Sequence, residues 1–402
     1  MRNRYLDLLR FLAIVRVVVY HVTGLATLTL IFPAMSIMFA LAGSLMAASL
    51  DRSGVPAVGR RLRRLLPSLW VVAAVFVPAM LLTGLAFTPR VVLWLFPIAD
   101  PPANYWGALA LSPIWYLRDY LWFVLASPVA LWLFRRAPLP TLAAPYALLA
   151  AIEVGILPTT SPVLRDFGLY FGAWLLGFAH HDGLLRRLAN RVLVPVALLL
   201  AGAGAAWILS HPGPRGYDLN DIPLGNALWS AAFILVVIGR APTAAWVDRN
   251  RTFGRLVTMV NRRALTVYLW HMSFVVALTP LVGLVGWSPR DPWGLAIRVV
   301  LVFVLVGVVT LLVGWVEDVA ARRRPELVPG RRPAAPRPTG VPTSPAPAGV
   351  PTSPAPAGTA PWPGAGPAED RPGAALPVGA TGRARAPAPR TPEAGTAEVK
   401  AR

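Results

Sequence analysis

Apolar runs of about twenty residues recur through the first three quarters of the chain, and they constrain its fold more than any other feature. A run of this length crosses a bilayer as an α-helix. The sequence therefore predicts an all-α fold, a polytopic transmembrane helix bundle with about ten spans. These spans are predicted at roughly 6–25, 33–50, 66–86, 117–134, 139–157, 166–180, 191–209, 225–240, 263–284 and 294–316.

The charge distribution predicts how the bundle is oriented. The formal net charge is +20, and most arginines follow the second, fourth, sixth, eighth and tenth spans. Cytoplasmic loops of membrane proteins carry such an excess, so we expect both termini in the cytoplasm. The same distribution explains the positive charge without nucleic acid, which is not expected as a partner. The absence of cysteine excludes disulfides and thiolate chemistry.

The composition changes completely near Ala320. Proline, alanine, glycine and arginine dominate from there, and a nine-residue segment at 340–348 repeats at 349–357. Such a segment cannot bury enough apolar surface to fold. The sequence predicts a membrane domain over residues 1–318 and a disordered cytoplasmic tail over 319–402, with weak attraction to the anionic lipids of the inner leaflet.

The first predicted span carries four ionisable residues, which are costly in hydrocarbon and therefore suggest a function. At about 100° per residue, Asp7, Arg10 and His21 fall within roughly 60° on one helix face, with the first two near the cytoplasmic surface and His21 deep in the membrane. A neutral histidine can accept a proton from a hydroxyl group. Alternatively, the arginines anchor the helix and His21 bridges helices. Arg16 falls on the opposite side, without an assigned partner.

Two further clusters could carry chemistry. Arg61 and Arg64 open the third span on its cytoplasmic side and are three residues apart, so both would face one side of a helix. Their guanidinium groups could bind phosphates there. Alternatively, their positive charge only anchors the helix at the membrane surface. Tyr268 and His271 share a face of the ninth span, and either function or simple packing explains them.

Charges in the fourth and fifth spans need partners. Arg118 and Asp119 are adjacent and cannot face each other on a helix, so each is expected to find a partner elsewhere. Glu153 suggests a proton path, an interior ion pair or a protonated, hydrogen-bonded carboxyl. Two outer loops, 87–116 and 211–223, form either an interfacial aromatic belt with ordinary turns or the entrance for a polar acceptor.

Common catalytic signatures are absent from the sequence. It contains no phosphate-binding Walker loop, no dinucleotide fingerprint, no clustered metal-ligand pattern and no Ser nucleophile elbow. We therefore expect no metal site, and any enzyme chemistry would use histidine and arginine inside the bundle.

These residues resemble the opening of the acyltransferase-3 family of bacterial membrane O-acyltransferases. That family begins with an arginine shortly before Asp-x-Leu-Arg, then an apolar run and a histidine fourteen residues after the aspartate. This chain has Arg4, then Asp7, Leu9 and Arg10, then His21.

Three later motifs follow in the family's order. The small-residue second helix matches Phe39-Ala-Leu-Ala-Gly43, the cytoplasmic Arg-x-x-Arg-x-x-Pro matches Arg61, Arg64 and Pro67, and Tyr-Leu-x-His matches Tyr268 to His271. The resemblance extends from residue 4 to about 318.

The chain also departs from the family pattern. Leu8 replaces a common glycine, Asp119 is the nearest acid where a glutamate often follows tryptophan, and Arg16 adds a charge to the first helix. No esterase-type domain follows the membrane body.

The resemblance implies transfer of an acyl group, most commonly acetyl, in the bacterial inner membrane. The donor would be cytoplasmic acyl-CoA, a co-substrate rather than a tightly bound cofactor, and the acceptor a hydroxyl of a glycan, glycolipid or glycosylated product. His21 would activate the acceptor hydroxyl or handle the acyl group, Asp7 and Arg10 would orient the first helix, and Arg61 and Arg64 would bind the donor's phosphates.

Two other functions remain open from the sequence. Intramembrane charges suit a proton-coupled transporter or flippase of a lipid-linked or polar solute, although no inverted repeat is evident. A membrane scaffold whose basic tail recruits partners is the third interpretation.

Overall fold

A computed structural model describes residues 4–242, 244–284 and 291–327, without the side chains of residues 282 and 283. This part of the chain contains helices and connecting loops and no β-strand, so the predicted all-α fold is confirmed. Its α-helices are α1 (Arg4–Thr23), α2 (Thr27–Ile31), α3 (Ala34–Ser53), α4 (Pro56–Leu82), α5 (Tyr105–Ala110), α6 (Ile114–Arg136), α7 (Pro138–Glu153), α8 (Pro162–His181), α9 (Leu184–Arg187), α10 (Asn190–Ser210), α11 (Pro223–Val237), α12 (Trp246–Arg249), α13 (Arg251–Arg262), α14 (Ala264–Leu284), α15 (Pro292–Val313) and α16 (Trp315–Ala320). Short 3-10 helices cover Pro89–Trp94 and Leu219–Asp221.

Each of the ten predicted spans falls on a helix, but fewer helices meet the requirements for crossing a membrane. Six are long and apolar enough by length and composition: Thr27–Ser53, Pro56–Leu82, Ile114–Arg136, Asn190–Ser210, Ala264–Leu281 and Pro292–Val313. Of the other four, α7 and α11 have 16 and 15 residues, α1 carries three arginines and an aspartate, and α8 carries Arg165, Asp166 and two histidines. The count of ten spans therefore stays a prediction.

The arginine-rich segment after α3 is part of a helix. The third span was predicted to begin at residue 66, but α4 already begins at Pro56. Proline is well tolerated at the first helical position, because its nitrogen has no N–H to leave unpaired. Gly54, with φ +57°, ends α3 and permits the turn into α4. Arg61 and Arg64 consequently stand on a rigid helix rather than on a loop.

Helices α3 and α8 cross at very close range through two glycines. A Cβ atom on Gly43 would lie 2.2 Å from the carbonyl oxygen of Trp174, and one on Gly177 would lie 2.1 Å from the carbonyl oxygen of Ala40. Small residues at a helix crossing let membrane helices approach closely and gain van der Waals contact. Beside the crossing, the Phe39 ring contacts the rings of Tyr116, Phe123, Tyr170 and Trp174.

This crossing makes Gly43 intolerant of even one methyl group. We expect Gly43→Ala to lower the free energy of unfolding by about 1–3 kcal/mol, because overpacking against a backbone oxygen forces the helices apart. Thermal unfolding of the purified protein measures the effect. Gly202→Ala on α10 is the matched control, since a Cβ there meets nothing within 4 Å and alanine favours a helix. Equal melting temperatures for the two variants would contradict the close crossing.

The fully buried Arg263 connects the start of α14 to Gly314 and α16 through hydrogen bonds. Arg263 donates hydrogen bonds from Nη1 to the Gly314 carbonyl at 2.6 Å and from Nη2 to Asp318 Oδ2 at 2.6 Å. The Glu326 backbone N–H also donates to Asp318 Oδ2, at 3.2 Å. The described part of residues 319–327 is thus in contact with the helices. The remainder of the predicted disordered tail, 328–402, lies outside the described residues, so the predicted boundary at 318 stays a prediction.

Candidate functional site

Two cavities lie along α1, and the first contains His21. We call it the histidine cavity; its volume is about 350 Å³. It is lined chiefly by polar and aromatic side chains, including Arg16, Tyr20, His21, Trp115, Tyr170 and Arg215. Residues from both loops that were singled out in the sequence, 87–116 and 211–223, contribute to its wall. A histidine, several arginines and stacked rings around one cavity are typical of a site for a polar ligand.

The second cavity contains three arginines, and we call it the arginine cavity. Its volume is about 140 Å³, and its lining includes Arg10, Arg61, Arg64, Tyr120, Asn261 and Glu317. Arg10 lies on the same face of α1 as His21, eleven residues earlier, so the two positions are about 16 Å apart along the helix axis. The cavities therefore lie at different depths of the bundle.

Tyr268 on α14 borders both cavities. Its ring is buried, and its centroid lies 4.9 Å from that of Tyr116, which lines the arginine cavity. One turn later on α14, His271 is also buried and brings its ring to 5.1 Å from that of His21, centroid to centroid. The Tyr-Leu-x-His motif of α14 thus meets the histidine of α1 where the two cavities approach each other.

The two histidines differ in access to the cavity. His21 lies in the last turn of α1, two residues before the helix ends, and is half-buried in the cavity wall. α1 has the length of the predicted span 6–25 but lies two residues nearer the N-terminus, and the predicted depth of His21 in the membrane stays a prediction. His271 Nδ1 donates to the Tyr268 carbonyl at 2.7 Å, and its Nε2 has no hydrogen-bond partner among the described residues. His21 can therefore meet a ligand directly, whereas His271 lies behind it.

The loop 211–223 is pinned onto the end of α1. The Tyr20 hydroxyl donates to Asp218 Oδ2 at 2.5 Å, and Arg215 Nη1 donates to the Tyr20 oxygen at 2.8 Å. The Leu219 backbone N–H donates to Thr29 Oγ1 at 3.1 Å. These bonds hold the loop beside His21. Two of them are made by Tyr20, the residue directly before His21 in the chain.

The arginines predicted to bind phosphate come together with Arg10, which was predicted to orient the first helix. Arg61 Nη2 donates to the Leu45 carbonyl at 2.9 Å and to Ser49 Oγ at 3.2 Å, which ties α4 to α3. Arg64 is exposed to the cavity. Three guanidinium groups around one cavity have the chemistry to bind an anion, because each presents several N–H donors.

Asp7 lines neither cavity, although it contacts Asn261, which lines the arginine cavity. Its carboxylate is 3.9 Å from Arg4 Nη1, and its backbone carbonyl accepts a hydrogen bond from Asn261 Nδ2 at 2.7 Å. Arg4 in turn pairs with Asp248 at 2.8 Å. Asp7 therefore contacts residues that hold α1 against α13, which is compatible with the predicted orienting role.

The prediction that Arg118 and Asp119 cannot face each other is wrong, whereas the expectation that Arg118 finds a partner elsewhere is confirmed. Arg118 Nε donates to Asp119 Oδ1 at 3.0 Å, although the two residues are neighbours on α6. The long arginine side chain can reach a carboxylate on the adjacent residue. Arg118 also binds Asp100 from the preceding loop, at 2.6 Å, and Asp166 from α8. One buried guanidinium thus holds three carboxylates, and Asp166 extends the cluster to the wall of the histidine cavity.

Glu153 and Arg16 both have partners in the structure. Glu153, the last residue of α7, pairs with Arg165 Nη2 at 2.8 Å, so it forms an ion pair, but with an exposed arginine rather than in the interior as one of the alternatives had it. Arg16 Nε donates to the Leu28 carbonyl at 3.0 Å, and its guanidinium lies 5.0 Å from the centre of the Tyr20 ring. Although Arg16 and His21 are on different faces of α1, both line the histidine cavity, because the cavity wraps around the end of the helix.

Several residues that line the two cavities were not predicted from the sequence. Glu317 in α16 lines the arginine cavity, where its carboxylate accepts hydrogen bonds from Thr266 N–H and Oγ1 at 2.8 and 2.6 Å. Burial raises the pKa of the Glu317 carboxyl above its ordinary range. Asp166 and Tyr120 were also missed. A charged or hydroxylated residue within an apolar segment was the available signal for each.

A family model described as an acyltransferase domain matches residues 3–316. The chain belongs to the acyltransferase-3 family. The resemblance inferred from the motifs is therefore confirmed, and with its apolar helices the chain is a membrane acyltransferase. Comparisons with curated proteins and with solved structures found no match. The family match includes His21 and the three arginines of the arginine cavity, whereas Glu317 lies just beyond it.

Proposed function

We propose that the protein transfers an acyl group, most simply acetyl, from acyl-CoA to a hydroxyl of a glycan, glycolipid or glycosylated product. The observation that supports this proposal is the pair of cavities along α1, one with three arginines and one with His21, which share Tyr268. A donor rich in phosphate suits the first cavity, and a hydroxylated acceptor suits the second. Membership of an acyltransferase family favours this function over a carrier.

The arginine cavity is proposed to bind the phosphates of acyl-CoA. Arg10, Arg61 and Arg64 converge there from two helices, and arginine binds phosphate with paired hydrogen bonds. The positive-inside pattern of the loops would place this cavity toward the cytoplasm of a bacterial cell, where acyl-CoA is made. The thioester end would then extend past Tyr268 toward the histidine cavity.

His21 is proposed to act as the general base. It would take the proton from the acceptor hydroxyl as the hydroxyl oxygen attacks the thioester carbonyl carbon. A C–O bond forms, the C–S bond breaks, and the proton passes from His21 to the departing thiolate, which leaves as the free thiol of CoA. His271, whose ring lies 5.1 Å from that of His21 at an angle of 46°, would hold the ring in place. The proposed step is written with acyl-CoA as a co-substrate and uses these side chains alone.

Transfer from labelled acetyl-CoA tests this function. Membranes that contain the protein would be supplied with labelled acetyl-CoA, and glycans and glycosides from cells with and without the protein would be compared by mass. We expect label in an alkali-labile ester and an acetyl mass missing from the deletion strain. Solute movement across vesicles without any donor, and without acyl products, would favour a transporter instead.

The arginine cavity provides a sharper test of donor binding. We expect Arg64→Ala to raise the KM for acetyl-CoA about tenfold, because a charge-assisted phosphate contact is lost. Steady-state kinetics with varied acetyl-CoA measure this change. Arg63→Ala is the matched control, since Arg63 is the neighbouring exposed arginine on α4 but does not line the cavity. An equal effect of both substitutions would mean that general surface charge, not the cavity, attracts the donor.

A further inference from the structure

The charged side chains that line the histidine cavity differ in whether they form salt bridges with other residues. Three arginines, Arg16, Arg165 and Arg215, line it together with one carboxylate, Asp166. Arg165 pairs with Glu153 at 2.8 Å, and Asp166 is bound by Arg118. Two of these four charges are thus neutralised by side chains behind the cavity wall.

Arg215 is neutralised as well. Its Nη2 and Nε donate to the two oxygens of Asp221 at 2.6 and 2.9 Å, in the bidentate geometry that arginine and carboxylate favour. This contact holds the pKa of the Asp221 carboxyl below its usual range, so the carboxylate stays charged at neutral pH. Asp218 is also engaged, by the Tyr20 hydroxyl and by Asn220.

Arg16 is the exception among the described residues that line this cavity. No salt bridge of Arg16 is formed within the described part of the chain: the Asp218 carboxylate acts on its guanidinium only from beyond 4.0 Å, and Nε makes its one hydrogen bond there, to the Leu28 carbonyl. The Leu28 carbonyl and the Tyr20 ring hold the guanidinium in place. Neither Nη group makes a hydrogen bond among the described residues, so both can bind a ligand in the cavity. A half-buried, fixed and unpaired charge in a membrane helix is costly, so a ligand that pairs with it would recover that cost.

The neighbouring surface fits a flat, partly apolar ring. Trp115 and Tyr170 line the same cavity and stack on each other, with ring centroids 5.3 Å apart and 24° between their planes. The C–H face of a sugar ring can pack on such aromatic surfaces, while a substituent on the ring reaches Arg16. The cavity volume of about 350 Å³ is within the range of small-ligand sites.

We propose that Arg16 selects an acceptor that carries an anionic group, a carboxylate or a phosphate, on the sugar whose hydroxyl is acylated. This inference rests on the proposed acyl transfer and names its substrate class: an acidic glycan or glycolipid rather than a neutral one. The anion would bind the two Nη groups of Arg16, the ring would lie against the half-buried Trp115, which Tyr170 supports from its other face, and the hydroxyl would face His21. Arg16 is then a specificity-determining residue, distinct from the general base.

A binding experiment tests the acceptor class without requiring turnover. The purified full-length protein in detergent would be titrated with nitrophenyl glucuronide and with nitrophenyl glucoside, which differ by a carboxylate in place of a hydroxymethyl group. The phosphate ester of the same glucoside forms a third arm, which separates carboxylate from phosphate recognition. We expect the favoured acidic probe to bind wild-type protein roughly 10- to 100-fold more tightly than the glucoside.

Three substitutions connect this preference to Arg16. Arg16→Gln can still donate to the Leu28 carbonyl but has no charge, so the ratio of the two affinities should fall to about one. Arg16→Lys should keep part of the preference. Arg90→Gln, at an exposed arginine outside the cavity, is the control and should keep all of it. Thermal unfolding of each variant checks that it is folded.

Each result decides for or against the inference. A wild-type protein that binds acidic and neutral probes equally overturns it, as does a preference that survives in Arg16→Gln. A loss of acetyl-CoA hydrolysis in Arg16→Gln that matches the loss of transfer would assign the residue to the acyl group instead. The proposed function fails separately: it is overturned if wild-type protein transfers no acetyl group to any glycan, even where the acidic probe still binds through Arg16.

Discussion

Replacement of His21 by glutamine is expected to lower kcat for acyl transfer by about 10²–10⁴-fold, the range that a positioned general base contributes. His21 is the histidine that lines the histidine cavity, and it stands in the last turn of α1 beside the pinned loop 211–223. Glutamine retains the size and a hydrogen-bonding group but cannot take up the proton. Single-turnover kinetics with labelled acetyl-CoA measure the change in the chemical step.

Substitutions of two other histidines test whether the loss of activity is specific to His21. His211→Gln is the matched control, because that exposed ring stacks on Trp207 and lines neither cavity. His271→Gln should lower the rate less than His21→Gln, since His271 is fully buried, lines neither cavity and lies 5.1 Å from the His21 ring, centroid to centroid. The reverse order, with transfer retained in His21→Gln and lost in His271→Gln, would move the base to α14.

The largest effect on stability is expected at Arg118. We expect Arg118→Met to lower the free energy of unfolding by about 3–5 kcal/mol, because the buried Asp119 and the half-buried Asp166 would lose their shared cation. Asp119→Asn in the Arg118→Met background should recover part of that loss, since it removes a buried charge. Thermal or denaturant unfolding in detergent, compared among the single and double variants, measures both steps.

Arg135 provides a control of the same chemistry in a different setting. It bridges Asp51 at 2.8 Å and Asp182 at 2.7 Å, but it lies at the exposed end of α6, with 42% of its side chain accessible. Water screens such pairs, so Arg135→Met should cost only about 0–1 kcal/mol. Equal destabilisation by the two substitutions would mean that burial does not decide the strength of these ion-pair clusters.

The helices and the family could be predicted from the sequence, because both depend on local patterns. Apolar runs indicate helices whatever surrounds them, and each predicted span lies on one. The ordered motifs from Arg4 to His271 indicated the family that the match over residues 3–316 confirms. Helix ends were less predictable: α4 begins at Pro56, ten residues before its predicted start, because a proline and charged residues can lie within the first turns of a helix.

Partners across the bundle could not be predicted. The period of a helix shows which residues share one of its faces, as with Arg10 and His21, but it cannot show what lies opposite that face. Arg10 belongs with Arg61 and Arg64 only because α1 and α4 meet around the same cavity. Arg118 was expected to avoid Asp119, yet it binds Asp119 together with two carboxylates from elsewhere in the chain.

The sequence by itself determined an all-α membrane acyltransferase and a short set of histidines and arginines that could serve it. Only the tertiary structure decided how these residues are shared between two cavities, with Tyr268 at their border. It also brought Arg16 to the same cavity as His21, although the two lie on different faces of α1. The physical reason is that a cavity is enclosed by several helices and loops, so its lining depends on contacts between segments far apart in the chain.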